Sequence, residues 1–157
     1  MARREFVVAA AILRDRAGRI LLVGNDWQGY GNVRHTLPGG TVERGESTLD
    51  ALAREVKEET GLQITKIHHL AYSVHVEDIK RNDRAISFAF LADYKGLLNP
   101  KDPDGFIVEA RFVPIELIPE IVPLAPIQEP LVKYLEDGVA GRFYSYASWD
   151  GKDMRQV

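Results

Sequence analysis

Runs of apolar residues alternate with polar breaks along the chain, and their lengths and periods predict its elements. Residues 6–13 (Phe-Val-Val-Ala-Ala-Ala-Ile-Leu) are continuously apolar and too short for anything but a buried strand. Asp15-Arg16-Ala17-Gly18 then reads as a turn, and Arg19-Ile20-Leu21-Leu22-Val23 as the hairpin partner of the first strand. A Gly- and Asn-rich loop follows over 24–35. From Ser47 to Gly61 the period changes: Leu49, Leu52, Ala53 and Val56 recur at helical spacing and predict a core-facing stripe. Ser47 with Asp50 three residues on reads as the N-cap, and Gly61 as the left-handed stop. Beyond the helix, 63–76 is extended, 78–84 a charged turn and 85–94 a further strand. Residues 99–105 form a loop with two prolines, and 109–113 the last core strand. A short amphipathic helix is expected over 127–135. The aromatic tail, Phe143, Tyr144, Tyr146 and Trp149, is expected to pack against the domain or a second copy. Strands and helices interleaved in this order predict an α/β (α+β) layered fold in one domain over residues 1–157.

Polar residues of the 47–61 helix change the picture. Glu55, Glu58 and Glu59 stand at i, i+3 and i+4, within an arc of roughly 100° on a helix of 3.6 residues per turn. Like charges so placed repel by about 0.2–0.5 kcal/mol per pair on an exposed helix. Such a run is most often a solvated face. Here, though, Glu59 falls within about 20° of Leu52 on the wheel, so the carboxylates border the apolar stripe. Burying their edge without a partner is costly, and a divalent cation removes that cost. Oxygen-only ligands suit a hard ion, Mg²⁺ or Mn²⁺. Arg54 stands one turn before Glu58 and can pair with it. Ahead of the helix, Leu37-Pro38-Gly39-Gly40 lets backbone approach a phosphate or a metal closely, because glycine has no Cβ.

The segment 40–62 resembles the Nudix box, Gly-x5-Glu-x7-Arg-Glu-U-x-Glu-Glu-x-Gly-U with U a bulky aliphatic. Every specified position is met, by Gly40, Glu46, Arg54, Glu55, Val56, Glu58, Glu59, Gly61 and Leu62. The resemblance implies a mixed β-sheet sandwiched between α-helices, and hydrolysis of a pyrophosphate linkage in a nucleoside diphosphate joined to another group. It implies Glu55 and Glu59 as metal ligands, Glu58 as a further ligand or base, and the Gly39 carbonyl as another ligand. Glu46 and Arg54 would orient the catalytic glutamates. Some relatives take the general base from the loop before the last core strand. Many carry an acidic residue where this chain has Phe106, so Asp104 and Glu109 are the nearest replacements. A MutT-like triphosphatase, acting on nucleoside triphosphates including oxidised ones, is favoured over hydrolases of ADP-ribose, dinucleoside polyphosphates or an RNA 5′ end. The rival from another class is a nucleotide sensor that binds without cleaving.

Recognition residues are less marked. Trp27 and Tyr30 could stack on a base, and Arg34 and His35 could meet phosphates. Against each stands an ordinary packing or surface role. His68, His69 and His75 lack metal-ligand spacing and read as strand residues; Lys80, Arg81 and Arg84 read as a solvated hairpin tip. The formal net charge of −3 gives no general attraction to nucleic acid or to an anionic membrane. The expected partner is a small nucleotide, with an RNA 5′ end the one nucleic-acid exception and a homodimer left open. There is no cysteine, which fits a cytoplasmic setting. Arg14-Asp15-Arg16 stands where a leader would need small residues, and no run is long enough to span a membrane.

Overall fold

The computed structural model describes residues 2–26, 31, 33–150 and 153–157. The elements are β1 (Arg4–Ile12), β2 (Ile20–Asn25), β3 (Arg34–Thr36), β4 (Gly39–Thr41), α1 (Thr48–Thr60), β5 (Gln63–Asp78) and β6 (Asp83–Lys95). Then come β7 (Ile107–Val113), a 3₁₀ turn (Ile115–Leu117), α2 (Ile118–Ile121), α3 (Ala125–Asp137), β8 (Arg142–Ser148) and β9 (Arg155–Gln156). One sheet runs β4-β1-β6-β5-β8-β9, and a second runs β3-β2-β7. The first sheet is mixed: β1 is parallel to β6 and β5 to β8, and its other pairs are antiparallel.

Side-chain alternation explains the layers. On β1, Ala9 and Ala11 join Leu13 and Leu21 in a buried cluster with Ala51, Leu52 and Val56 of α1. Ala10 and Ile12 point to the other cluster, which holds Leu22, Tyr72, Val74 and the α3 residues Leu131 and Tyr134. One helix therefore covers each face, giving the mixed sheet between helices that the box resemblance implies. No helix among the described residues is long and apolar enough to cross a membrane.

The expected β1–β2 hairpin is corrected. The turn itself forms: Gly18 N–H donates to the Asp15 carbonyl at 3.0 Å, and Asp15 Oδ1 accepts from Ala17 and Arg19 N–H. Pairing ends almost at once, in a single bridge between Arg14 and Ile20. Both edges of β1 are taken by β4 and β6, and both edges of β2 by β3 and β7. Every residue of β2 is buried, which needs cover on both faces and both edges.

The α1 stripe also differs from its helical-wheel reading. Leu49 is 46% exposed and Ala53 is exposed, while Ala51, Leu52, Val56, Glu59 and Thr60 are buried. The helix is rolled so that Glu59 goes under β4. Its ends are as expected. Ser47 Oγ accepts from Asp50 N–H at 3.1 Å, and Gly61 at φ 79° donates to the Lys57 carbonyl at 2.9 Å. Residues 63–78 and 83–95 form one long hairpin whose tip carries Lys80 and Arg81. The aromatic tail divides by strand alternation: Tyr146 is fully buried and Tyr144 half-buried, while Phe143 and Trp149 are 61% and 60% exposed.

Candidate active site

The second half of α1, the short strand β4 and the loop before β7 meet around one cleft of about 640 Å³. Gly39, Gly40, Glu55 and Glu59 line it, together with Asp102, Asp104 and Phe106. The floor is apolar, with Tyr72, Val74 and Ala89 from the large sheet, and Leu124 and Ile127 from the entry to α3. Loop and helix are tied together, since Asn99 N–H donates to the Thr60 carbonyl at 2.8 Å and Lys101 N–H to that of Glu58 at 2.9 Å.

Arg54 is the hub of the acidic ridge. Its Nε and Nη2 donate to the two oxygens of Glu46 at 2.8 and 3.0 Å, a bidentate fork. Nη1 donates to Glu55 at 2.8 Å and to Glu58 at 3.3 Å, and Nη2 also reaches the Thr41 carbonyl at 3.1 Å. Glu46 accepts in addition from Glu43 N–H at 3.1 Å, and Arg54 and that N–H together hold its carboxyl below the ordinary range.

Glu59 lies differently. It is 6% exposed, and among the described residues it has no cationic partner; Gly39 N–H donates to its Oε1 at 2.6 Å. Burial pushes its carboxyl up to about 8; the Gly39 bond opposes that, and Glu55, Asp102 and Glu58 add to it. Burial raises Glu55 as well, against the pull of Arg54. The glycines are sterically required. A Cβ on Gly39 would meet the Ala9 carbonyl oxygen at 2.2 Å, and one on Gly40 would come within 2.4 Å of the Glu55 carboxylate.

As the side chains stand, no three carboxylates or histidines among the described residues converge as a metal-coordinating group. Glu55 and Glu58 lean instead on Arg54. The donor set nevertheless fits a hard divalent cation. It is all oxygen, it contains a buried carboxylate without a counter-charge, and Gly40 leaves room along Glu55.

The remaining sequence candidates fall unevenly. Asp104 lines the cleft, whereas Glu109 is bonded to His35 and lies 3.4 Å from Arg111 Nε. The His35 bond holds the Glu109 carboxyl low. Arg34 is exposed on β3 and does not line the cleft. Trp27 and Tyr30 lie outside the described residues. Two lining residues were missed from sequence. Asp102 falls there in the 99–105 loop without a role, and it accepts from Asp104, Phe106 and Ile107 N–H, at 3.2, 2.8 and 3.0 Å. Asn25 carried no sequence signal at all.

A family model described as the NUDIX domain matches residues 4–135. An ADP-ribose pyrophosphatase of Methanocaldococcus jannaschii is 32% identical over 117 residues, covering 73% of this chain and 65% of that one. An NAD-capped RNA hydrolase, NudC, of Photobacterium profundum is 34% identical over 99 residues, 62% of this chain but only 35% of its own length. An 8-oxo-dGTP diphosphatase of Proteus vulgaris is 25% identical over 101 residues, 64% of this chain and 88% of its own. Among solved structures, a NUDIX hydrolase from Nitrosomonas europaea superposes with a TM-score of 0.74 at 23% identity, over 88% of this chain and 93% of its own. A MutT protein from Bacillus halodurans gives 0.69 at 19%, over 96% and 97%. At these identities the two structures speak to the fold.

Proposed function

The chain belongs to the NUDIX family, and from that premise we propose that it is a metal-dependent pyrophosphohydrolase of nucleoside diphosphates linked to a further group. One observation carries this reading: a buried, uncompensated Glu59 and the Arg54-bound Glu55 line one cleft sized for a nucleotide. A bound Mg²⁺ or Mn²⁺ supplies neutralisation of pyrophosphate oxygens and a more acidic water. Glu55 and Glu59 would hold it, with Glu58 and the Gly39 carbonyl completing the set.

The protein's own groups do the rest. Arg54 fixes the rotamers of Glu55 and Glu58 and is itself fixed by Glu46, so the carboxylates are positioned before substrate arrives. Gly39 N–H fixes Glu59 in the same way. For the base that takes the proton of the attacking water, Asp104 is better placed than Glu109, because it borders the cleft and has no cationic partner among the described residues, whereas His35 engages Glu109. Nucleoside triphosphates, oxidised ones included, are the favoured substrates, in line with the 8-oxo-dGTP diphosphatase matched over 88% of its length. ADP-ribose is the second reading, supported by the 32% identity to an ADP-ribose pyrophosphatase.

The test is a substrate panel with purified protein, run with Mg²⁺, with Mn²⁺ and with EDTA, using ¹⁸O-water to mark the phosphorus attacked. Metal-dependent release of a nucleoside monophosphate from one class is expected. Binding without turnover across all classes would make the chain a sensor and overturn the proposal.

A further inference from the structure

Asn25, the last residue of β2, is 5% exposed and lines the cleft. Its Nδ2 donates to the Arg34 carbonyl at 3.3 Å and to Thr36 Oγ1 at 3.1 Å. Thr36 Oγ1 gives its own proton to the Leu37 carbonyl at 3.1 Å, so toward Asn25 it can only accept. Turning the amide over would set Oδ1 against two oxygens; the neighbours thus fix which end is which. Oδ1 is the atom left over, and none of the hydrogen bonds among the described residues engages it.

What surrounds that acceptor narrows its ligand. Ile107 is the register partner of Asn25 across β2 and β7 and lines the same cleft. Asp26 N–H donates to the Phe106 carbonyl at 2.8 Å, which brings Phe106, 41% exposed, to the same rim. A carbonyl acceptor flanked by an aromatic and an aliphatic wall matches a planar heterocycle, whose faces suit the wall and whose N–H edge suits the oxygen. We propose that Asn25 Oδ1 selects nucleotides whose base presents an N–H donor on its edge. The proposal rests on the nucleotide reading above and adds to it a residue that sets base preference. A site with an oriented acceptor rejects an analogue lacking the donor more strongly than an apolar pocket rejects a change of shape.

Equilibrium binding, read by calorimetry without metal or turnover, tests it. The probes are AMP, GMP, CMP and UMP, each against purine riboside 5′-monophosphate, whose base has no N–H. At least one donor-bearing nucleotide is expected to bind tenfold or more tightly than the donor-free control. In Asn25→Ala the difference should shrink to less than twofold. Equal binding of all probes by the unsubstituted protein would overturn the proposal without recourse to any variant, and so would a preference that survives Asn25→Ala. Failure of the hydrolysis panel with base discrimination intact would remove the enzymatic reading and leave this one standing.

Discussion

Arg54 bonds three glutamates with one guanidinium, and lysine cannot reproduce that planar fork. Arg54→Lys is expected to lower kcat/KM by about 10–100-fold, the usual cost of losing a group that orients ligands, with little change in melting temperature. Replacing Glu58 or Glu59 by Gln should reduce turnover by about 10²–10⁴-fold; normal rates in both variants would refute the site. Glu59 also makes a stability prediction. Its folded pKa of about 8 lies above the ordinary 4.5, so between those values the folded chain keeps a proton that the unfolded chain releases. The contribution of Glu59 to stability is then full below pH 4.5 and falls as pH rises toward 8. Thermal melts of metal-free protein should show this decline, and Glu59→Gln should flatten it. Glu58 was legible as a partner of Arg54 because it lies one turn on in the same helix, whereas Glu46 entered only through the box resemblance and the bond to Glu55 was not foreseen. Asp102 was not legible, because only the path of the loop brings it to the cleft.

At the scale of elements, the box helix was read correctly in its extent and caps, since those depend on local chemistry at Ser47, Asp50 and Gly61. Its orientation was not. Periodicity gives a stripe, but the roll about the axis is set by β4, where Gly39 takes hold of Glu59. The lost hairpin has a similar cause: adjacent strands pair by default, and here long-range partners had claimed both edges of each. Leu52→Ala, which empties a fully buried position of α1, should cost about 2–5 kcal/mol in denaturant melts. Gly61→Ala puts a Cβ 2.5 Å from the Asn99 carbonyl oxygen in a left-handed conformation. It should lose about 1–2 kcal/mol from the backbone alone, and activity with it, because the clash falls where the loop joins the helix.

For the molecule as a whole, interleaved strands and helices gave the class, and the box gave the family. The division into two sheets stayed hidden because it depends on pairings such as Arg4 with Asp83, 79 positions apart. That contact and its counterpart at Asp137 and Arg142 tie distant or successive elements at the surface. Arginine bonds hold both aspartates below the ordinary 3.8. Their contribution is therefore complete above about pH 4 and disappears as acid protonates them. Melting temperature should drop from pH 5 to pH 3, and less steeply in Asp137→Asn.

The amides of Asn99 and Lys101 anchor the loop that carries Asp102 and Asp104 onto the last carbonyls of α1. The ridge and the acidic loop consequently share one support, the C-terminal turn of α1. A change that displaces this one turn therefore reaches both carboxylate groups at once, Glu58 and Glu59 on the helix and Asp102 and Asp104 on the loop.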